Sequence, residues 1–162
     1  TQAAGALWNL ACNNDDNKIL ITRAGAVEPL VRLLRTGDAE GKTQAAGALW
    51  NLACNNDDNK ILITRAGAVE PLVRLLRTGD AEGKTQAAGA LSSLAVNNAD
   101  NKIAIARAGA MEPLAQLLST GDDEGKARAV QALKNLARNN TDNQTAIVRS
   151  GAVEPLVNLL RT

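Results

Sequence analysis

The chain contains no histidine, tyrosine or phenylalanine, and its 162 residues include only two tryptophans, two cysteines, four prolines and one methionine. These scarcities bear directly on function. Without histidine there is no side chain whose ordinary pKa lies near neutrality, and no imidazole to activate a serine or cysteine nucleophile. Carboxylate and lysine chemistry stay formally open, but no constellation of such residues suggests a pocket for it. The expectation is a protein that is not an enzyme and carries no catalytic residue, cofactor or metal. Eighteen basic and seventeen acidic side chains leave a net charge of +1, so overall charge points to neither a polyanion nor a membrane surface. A nucleic-acid stripe would need phosphate-spaced cations interleaved with stacking aromatics, and two tryptophans do not supply it. No apolar run approaches the roughly 20 residues that span a bilayer, and no basic stretch leads into an apolar one at the start. The chain is therefore expected to be soluble, and cytoplasmic if it is natural.

What is abundant is repetition. Residues 1–42, TQAAGALWNLACNNDDNKILITRAGAVEPLVRLLRTGDAEGK, recur unchanged as 43–84, drift in 85–126 and stop short in 127–162. A unit of this length cannot bury its own apolar face and gains stability by stacking on its neighbours. The chain is thus expected to form one elongated domain over 1–162. Cys12 and Cys54 fall at the same place in successive copies, roughly 10 Å apart at helix-diameter spacing, which is beyond disulfide reach. A reducing compartment, or indifference to redox state, fits them.

Within one copy, Ala3, Leu7, Leu10 and Ala11 recur at helical spacing on one face. In later copies this long helix begins after the N-cap candidates Asp38, Asp80 and Asp122. The run NNDDN, 13–17, interrupts the pattern with residues that favour turns and caps. A second helix is expected from near Asp16, carrying Ile19, Leu20 and Ala24 and stopping at Gly25. Pro29 then stands in the first turn of another helix, AVEPLVRLLRT, with Val27, Leu30, Val31, Leu33 and Leu34 on its apolar face and Gly37 at its end. The unit is three helices without a strand.

The stretch AGALWNLACNNDDNKILITRAGAVEPLVRLLRTGD resembles the armadillo repeat of catenins, importin alpha and vacuolar armadillo proteins, in its length, in Gly25 before PLVRLL and in LWNLA on the following helix. The resemblance covers the whole chain. It implies an all-α, right-handed α-solenoid of three-helix, 42-residue repeats, whose third helices line a concave groove. In that phase the chain starts at a third helix (1–12) and ends at a second helix (152–162). The resemblance also implies a non-catalytic scaffold that holds an extended peptide or disordered segment, an Asn on each third helix clamping the peptide backbone. The matching positions are Asn9, Asn51 and Asn135, with Ser93 in the third copy. An amide that donates and accepts is suited to a peptide unit, and one clamp per repeat suits an extended chain rising about 3.3 Å per residue.

Other residues on that face admit two readings. Trp8 and Trp50 are either walls for a ligand side chain or indoles packed against the neighbouring repeat. Importin alpha carries its groove tryptophans one turn before the Asn, where this chain has Gly5, Gly47, Gly89 and Gln131. A helical Gly costs up to about 1 kcal/mol against Ala, so these glycines serve either close helix packing or access for a ligand backbone. In the last copy Lys134 replaces the Trp and Arg138 replaces the Cys, and with Arg128 they make that end basic. An acidic peptide segment is favoured there, or else the residues form a solvated capping face.

Two motifs are refused. TGDAEGKT, 36–43, has three residues between its glycines where a phosphate loop needs four. NNDDN lacks the Gly and the bidentate Glu of a calcium loop. Finally, identity at 42 of 42 positions, without an initiating Met, points to an engineered or reconstructed array, or a very recent duplication. In that phase Leu7 and Leu10 at one end are expected to lack the second helix that would normally cover them, and Val153, Leu156, Leu159 and Leu160 at the other to lack a third helix. Those complementary deficits make head-to-tail self-association an alternative expectation, for an array without a natural ligand.

Overall fold

A computed structural model describes residues 1–161. The first copy contributes α1 (Gln2–Ala11), α2 (Asp15–Arg23) and α3 (Val27–Thr36), and the second α4 (Ala39–Ala53), α5 (Asp57–Arg65) and α6 (Val69–Thr78). The third adds α7 (Ala81–Ala95), α8 (Ala99–Arg107) and α9 (Met111–Thr120), and the last α10 (Asp123–Ala137), α11 (Thr141–Arg149) and α12 (Val153–Leu159). Among the described residues there is no strand, and no helix is long and apolar enough to cross a membrane.

Local chemistry sets the boundaries. The carboxylates of Asp38, Asp80 and Asp122 each accept from the backbone N–H three residues on, at 2.8 Å, and so start α4, α7 and α10. Asn14 starts α2 in the same way, accepting from the Asn17 N–H. Gly25 follows α2 at φ 82°, a left-handed conformation that glycine enters without a Cβ penalty. Asn13, Asn55, Asn97 and Asn139 take the same region, at φ between 51° and 56°, and turn the chain out of each third helix. The NNDDN run is therefore turn and cap chemistry.

The third helices α1, α4, α7 and α10 stack in succession, with α3, α6 and α9 packed against the third helix that follows each. Leu49, Leu52, Leu91, Leu94 and Leu136 are fully buried between them, as are Leu72 and Leu114 from the second helices. Burying a leucine side chain contributes about 1.5–3 kcal/mol, so the stacked leucines dominate cohesion between repeats.

The short helices depart from expectation. Ile19 and Leu20 are exposed, as are Ile61 and Leu62, while Ile21, Ile63, Ile105 and Ile147 are buried. The buried face of α2 is Lys18 and Ile21. Lys18 Nζ donates to the Asp15 carboxylate at 2.8 Å and to the Cys54 carbonyl at 3.0 Å. Lys60 does the same with Asp57 and the Val96 carbonyl, at 2.8 and 3.2 Å. Each lysine thus satisfies one of the orphan carbonyls at the C-terminus of a third helix, where a cation also meets the negative end of the helix dipole. From the following repeat, the amides of Asn59, Asn101 and Asn143 donate to Leu52, Leu94 and Leu136. Both contacts fix the end of the helix that carries the candidate site.

Candidate functional site

The candidate residues fall in one row along the third helices. Asn51 on α4 is half-buried, and its amide N–H donates to the Trp8 carbonyl on α1 at 3.0 Å. Asn135 on α10 donates to the Ser92 carbonyl at 3.3 Å and to its hydroxyl at 2.9 Å. The structure thereby changes one part of the expectation. The preceding helix takes one N–H of the Asn51 amide and the amide nitrogen of Asn135, which holds each side chain in place; the Oδ1 acceptors, and the second N–H of Asn51, are left over. Ser93 Oγ lies 3.3 Å from Cys54 Sγ. Asn9 is exposed and borders a shallow concavity of about 370 Å³ together with Thr1, Gly5, Glu40 and Gln44. Other concavities lie between α9 and α12, among α8, α9 and α11, among α2, α3 and α5, or beside the Asp80 and Asp122 caps, and bring none of the candidate residues together.

The tryptophans pack across the row. A Cβ built on Gly47 would meet the Trp8 indole at 2.6 Å, and one on Gly89 would meet the Trp50 indole at 2.7 Å. Contacts under 3.0 Å with a rigid ring leave no room for any side chain at these two positions. Gly47 and Gly89 are buried beneath the indoles, so close packing accounts for them and access for a ligand backbone does not. The third copy supports the pairing: Ser92 stands where the tryptophan would be, and the facing position on α10 is Gln131, exposed rather than covered. Gly5 meets a different neighbour, with Gln44 Oε1 at 2.8 Å from its Cβ position. Trp8 and Trp50 remain only half-buried, and part of each indole still borders the row.

The C-terminal end of the row carries cations. Lys134 and Arg138 are exposed, and the Arg128 guanidinium lies 4.5 Å from the centroid of the Trp50 ring, within cation–π range. Glu124 approaches Arg128 at 3.4 Å. Lys102, the counterpart of Lys18, donates to the Arg138 carbonyl. Burial, and secondarily the Arg138 charge, holds the Lys102 pKa below the usual lysine value. Between that lowered pKa and the ordinary value of about 10.4, the unfolded chain binds more protons than the folded one, so stability rises with pH across that window. Thermal melts at neutral and alkaline pH check this, and Lys102→Met is expected to remove that part of the rise.

Two kinds of residue in this region escape a pattern reading. Lys18, Lys60 and Lys102 are typed as surface residues by charge, yet they are buried; the one hint is Asp15 or Asp57 three residues before. Gln86 is also buried, and its Oε1 accepts no hydrogen bond.

Three-helix units whose third helices stack in one row define a right-handed α-solenoid. A family model described as Armadillo/beta-catenin-like repeat matches residues 14–54, 56–96 and 98–138. The chain belongs to the armadillo repeat family. A stretch of 44 residues is 50% identical to catenin beta of Urechis caupo, covering 26% of this chain and 5% of that protein. Among solved structures, an engineered protein from the Northeast Structural Genomics Consortium superposes with a TM-score of 0.92 at 36% identity, over 99% of this chain and 66% of that one. A designed armadillo repeat protein in complex with the peptide (KR)4 gives 0.90 at 32% identity, over 99% and 67%. Computationally designed armadillo repeat proteins for modular peptide recognition give 0.91 at 32% identity, over 99% and 68%.

Proposed function

We propose that the chain is a non-catalytic peptide-binding scaffold, in which the row of third helices holds an extended peptide or disordered segment. The observation that carries this reading is the state of the Asn51 amide: one of its N–H groups is held by Trp8 on the preceding helix, which fixes the side chain so that its carbonyl acceptor can be used without further loss of side-chain freedom on binding. Asn9, Asn51 and Asn135 each offer an acceptor to a ligand backbone N–H, while Ser93, engaged with Cys54, makes the third copy a weaker clamp. Gly5 leaves room beside Asn9, and the exposed parts of Trp8 and Trp50 flank the ligand's side chains. Lys134 and Arg138 favour acidic residues at the C-terminal end. A peptide-library screen against wild type and Asn51→Ala tests the reading. Binders whose affinity falls about five- to tenfold on Asn51→Ala are expected, for one lost hydrogen bond of about 1–1.5 kcal/mol; equal binding by both proteins contradicts the clamp.

A second reading concerns the polypeptide of these 162 residues on its own. Leu160 is 87% exposed where Leu34 is 2%, and Leu10 is 54% exposed where Leu52 is fully buried. We infer that α1 of one copy seats as a third helix on α11 and α12 of another, repeating an interface the chain already contains. Such a heterologous contact need not close on itself. Light scattering is expected to show a mass that grows with concentration; a monomer mass throughout contradicts it.

A further inference from the structure

We propose that the concavity between α9, the end of α11 and α12 is a subsite for an arginine side chain of a partner protein or peptide, in a place that the chain fills for itself in earlier copies. The subsite lies away from the row of third helices and does not rest on the groove reading. Carbonyls at the C-terminus of a helix lack intrahelical donors and carry the negative end of its dipole, so they suit a cation. At the ends of α5 and α8 the preceding second helix supplies one. Arg35 Nη2 on α3 donates to the Ala66 and Gly67 carbonyls at 3.4 and 3.1 Å, and Arg77 Nη2 on α6 donates to the Gly109 carbonyl at 3.0 Å.

At the end of α11 the same place is built without its guanidinium. One period after Arg77 stands Ser119, whose hydroxyl turns back to the Ala115 carbonyl of its own helix at 3.1 Å. Gly151 keeps the backbone of its counterparts, φ 82° against 79° at Gly67 and Gly109, so the acceptor is still presented. A Cβ built on Gly67 or Gly109 would meet an arginine Nη2 at 2.5 or 2.6 Å, whereas one on Gly151 has no described atom within 4 Å. Arg77, Gly109 and Glu112 border one concavity. Their counterparts one period on, Ser119, Gly151 and Glu154, border another, of about 420 Å³. Lys126 also borders it, but among the described residues makes no ion pair with Glu154. A carbonyl acceptor and a free carboxylate around one open space match the planar fork of a guanidinium, and the earlier copies show the chain itself using that group.

The probe is acetyl-arginine amide, titrated into the isotopically labelled chain while the backbone amide resonances of Gly67, Gly109 and Gly151 are followed. Acetyl-citrulline amide, of nearly the same shape but uncharged, is the reference. Gly151 is expected to shift to saturation with the arginine probe, and with about fivefold weaker affinity for citrulline, since charge-assisted hydrogen bonds are the stronger ones. Gly67 and Gly109 should stay unmoved. Ser119→Arg restores the chain's own guanidinium and should abolish the Gly151 response, whereas Arg77→Ser removes one and should make Gly109 respond. The dispersion of the same spectra reports that each variant is folded. A Gly151 resonance that does not move, that moves equally with both probes, or that still moves in Ser119→Arg overturns the proposal.

Discussion

Replacing Gly89 by alanine is expected to destabilise the chain by about 1–3 kcal/mol, the cost of overpacking a filled site, although alanine is the better helix former by up to about 1 kcal/mol. The added Cβ would stand 2.7 Å from the Trp50 indole. That ring has nowhere to go, with α7 beneath it and Arg128 above. The Trp50→Ser, Gly89→Ala double variant should lose much less than the two single effects summed, because the chain already contains a tolerated counterpart, Ser92 facing Gln131. A coupling of about 1–3 kcal/mol is expected for groups in such direct contact. Chemical denaturation of the four proteins in the cycle measures it. Additive effects would mean that the indole and the glycine do not share one space.

Lys60→Met is expected to cost about 1.5–3 kcal/mol, the range for a hydrogen bond to a charged group, although methionine preserves most of the apolar stem. The loss is the orphaned Val96 carbonyl at the end of α7, together with the Asp57 contact. Removing the partner instead, by Asp57→Asn, should cost far less, because that carboxylate is 80% exposed and solvent screens the pair. Thermal or urea unfolding of both variants separates the two contributions. Equal losses would place the stabilisation in the surface ion pair rather than in the carbonyl cap.

Period, helix count and caps were legible before any coordinates, because each depends on local chemistry: Asp38 begins a helix and Gly25 ends one whatever lies around them. The row of Asn9, Asn51, Ser93 and Asn135 was legible through the family resemblance, and its placement on stacked third helices follows from the same phase. What the pattern left open was which neighbour covers each side chain. A helical wheel puts Trp8 and Gly5 on the outer face, but only the stacking of α1 on α4 brings Trp8 onto Gly47. The signal was nevertheless written in the later copies, where the third loses its tryptophan, at Ser92, and the fourth loses the glycine that would face it, at Gln131. In the short helix, adjacent Ile19, Leu20 and Ile21 cannot all face inward on a period of 3.6. The pattern favoured the first two; packing chose Ile21, because the same face carries Lys18 to the end of α4.

The central claim is that the Asn51 Oδ1 accepts a hydrogen bond from a ligand backbone N–H, one of its own N–H groups being held by Trp8. It is tested most directly by taking a peptide from the library screen, methylating its backbone nitrogens one at a time, and measuring the affinity of each form for wild type and Asn51→Ala. One methylated position should weaken binding to wild type about five- to tenfold and leave binding to Asn51→Ala unchanged, since both changes remove the same bond of about 1–1.5 kcal/mol. Losses that add independently at every position would contradict the claim.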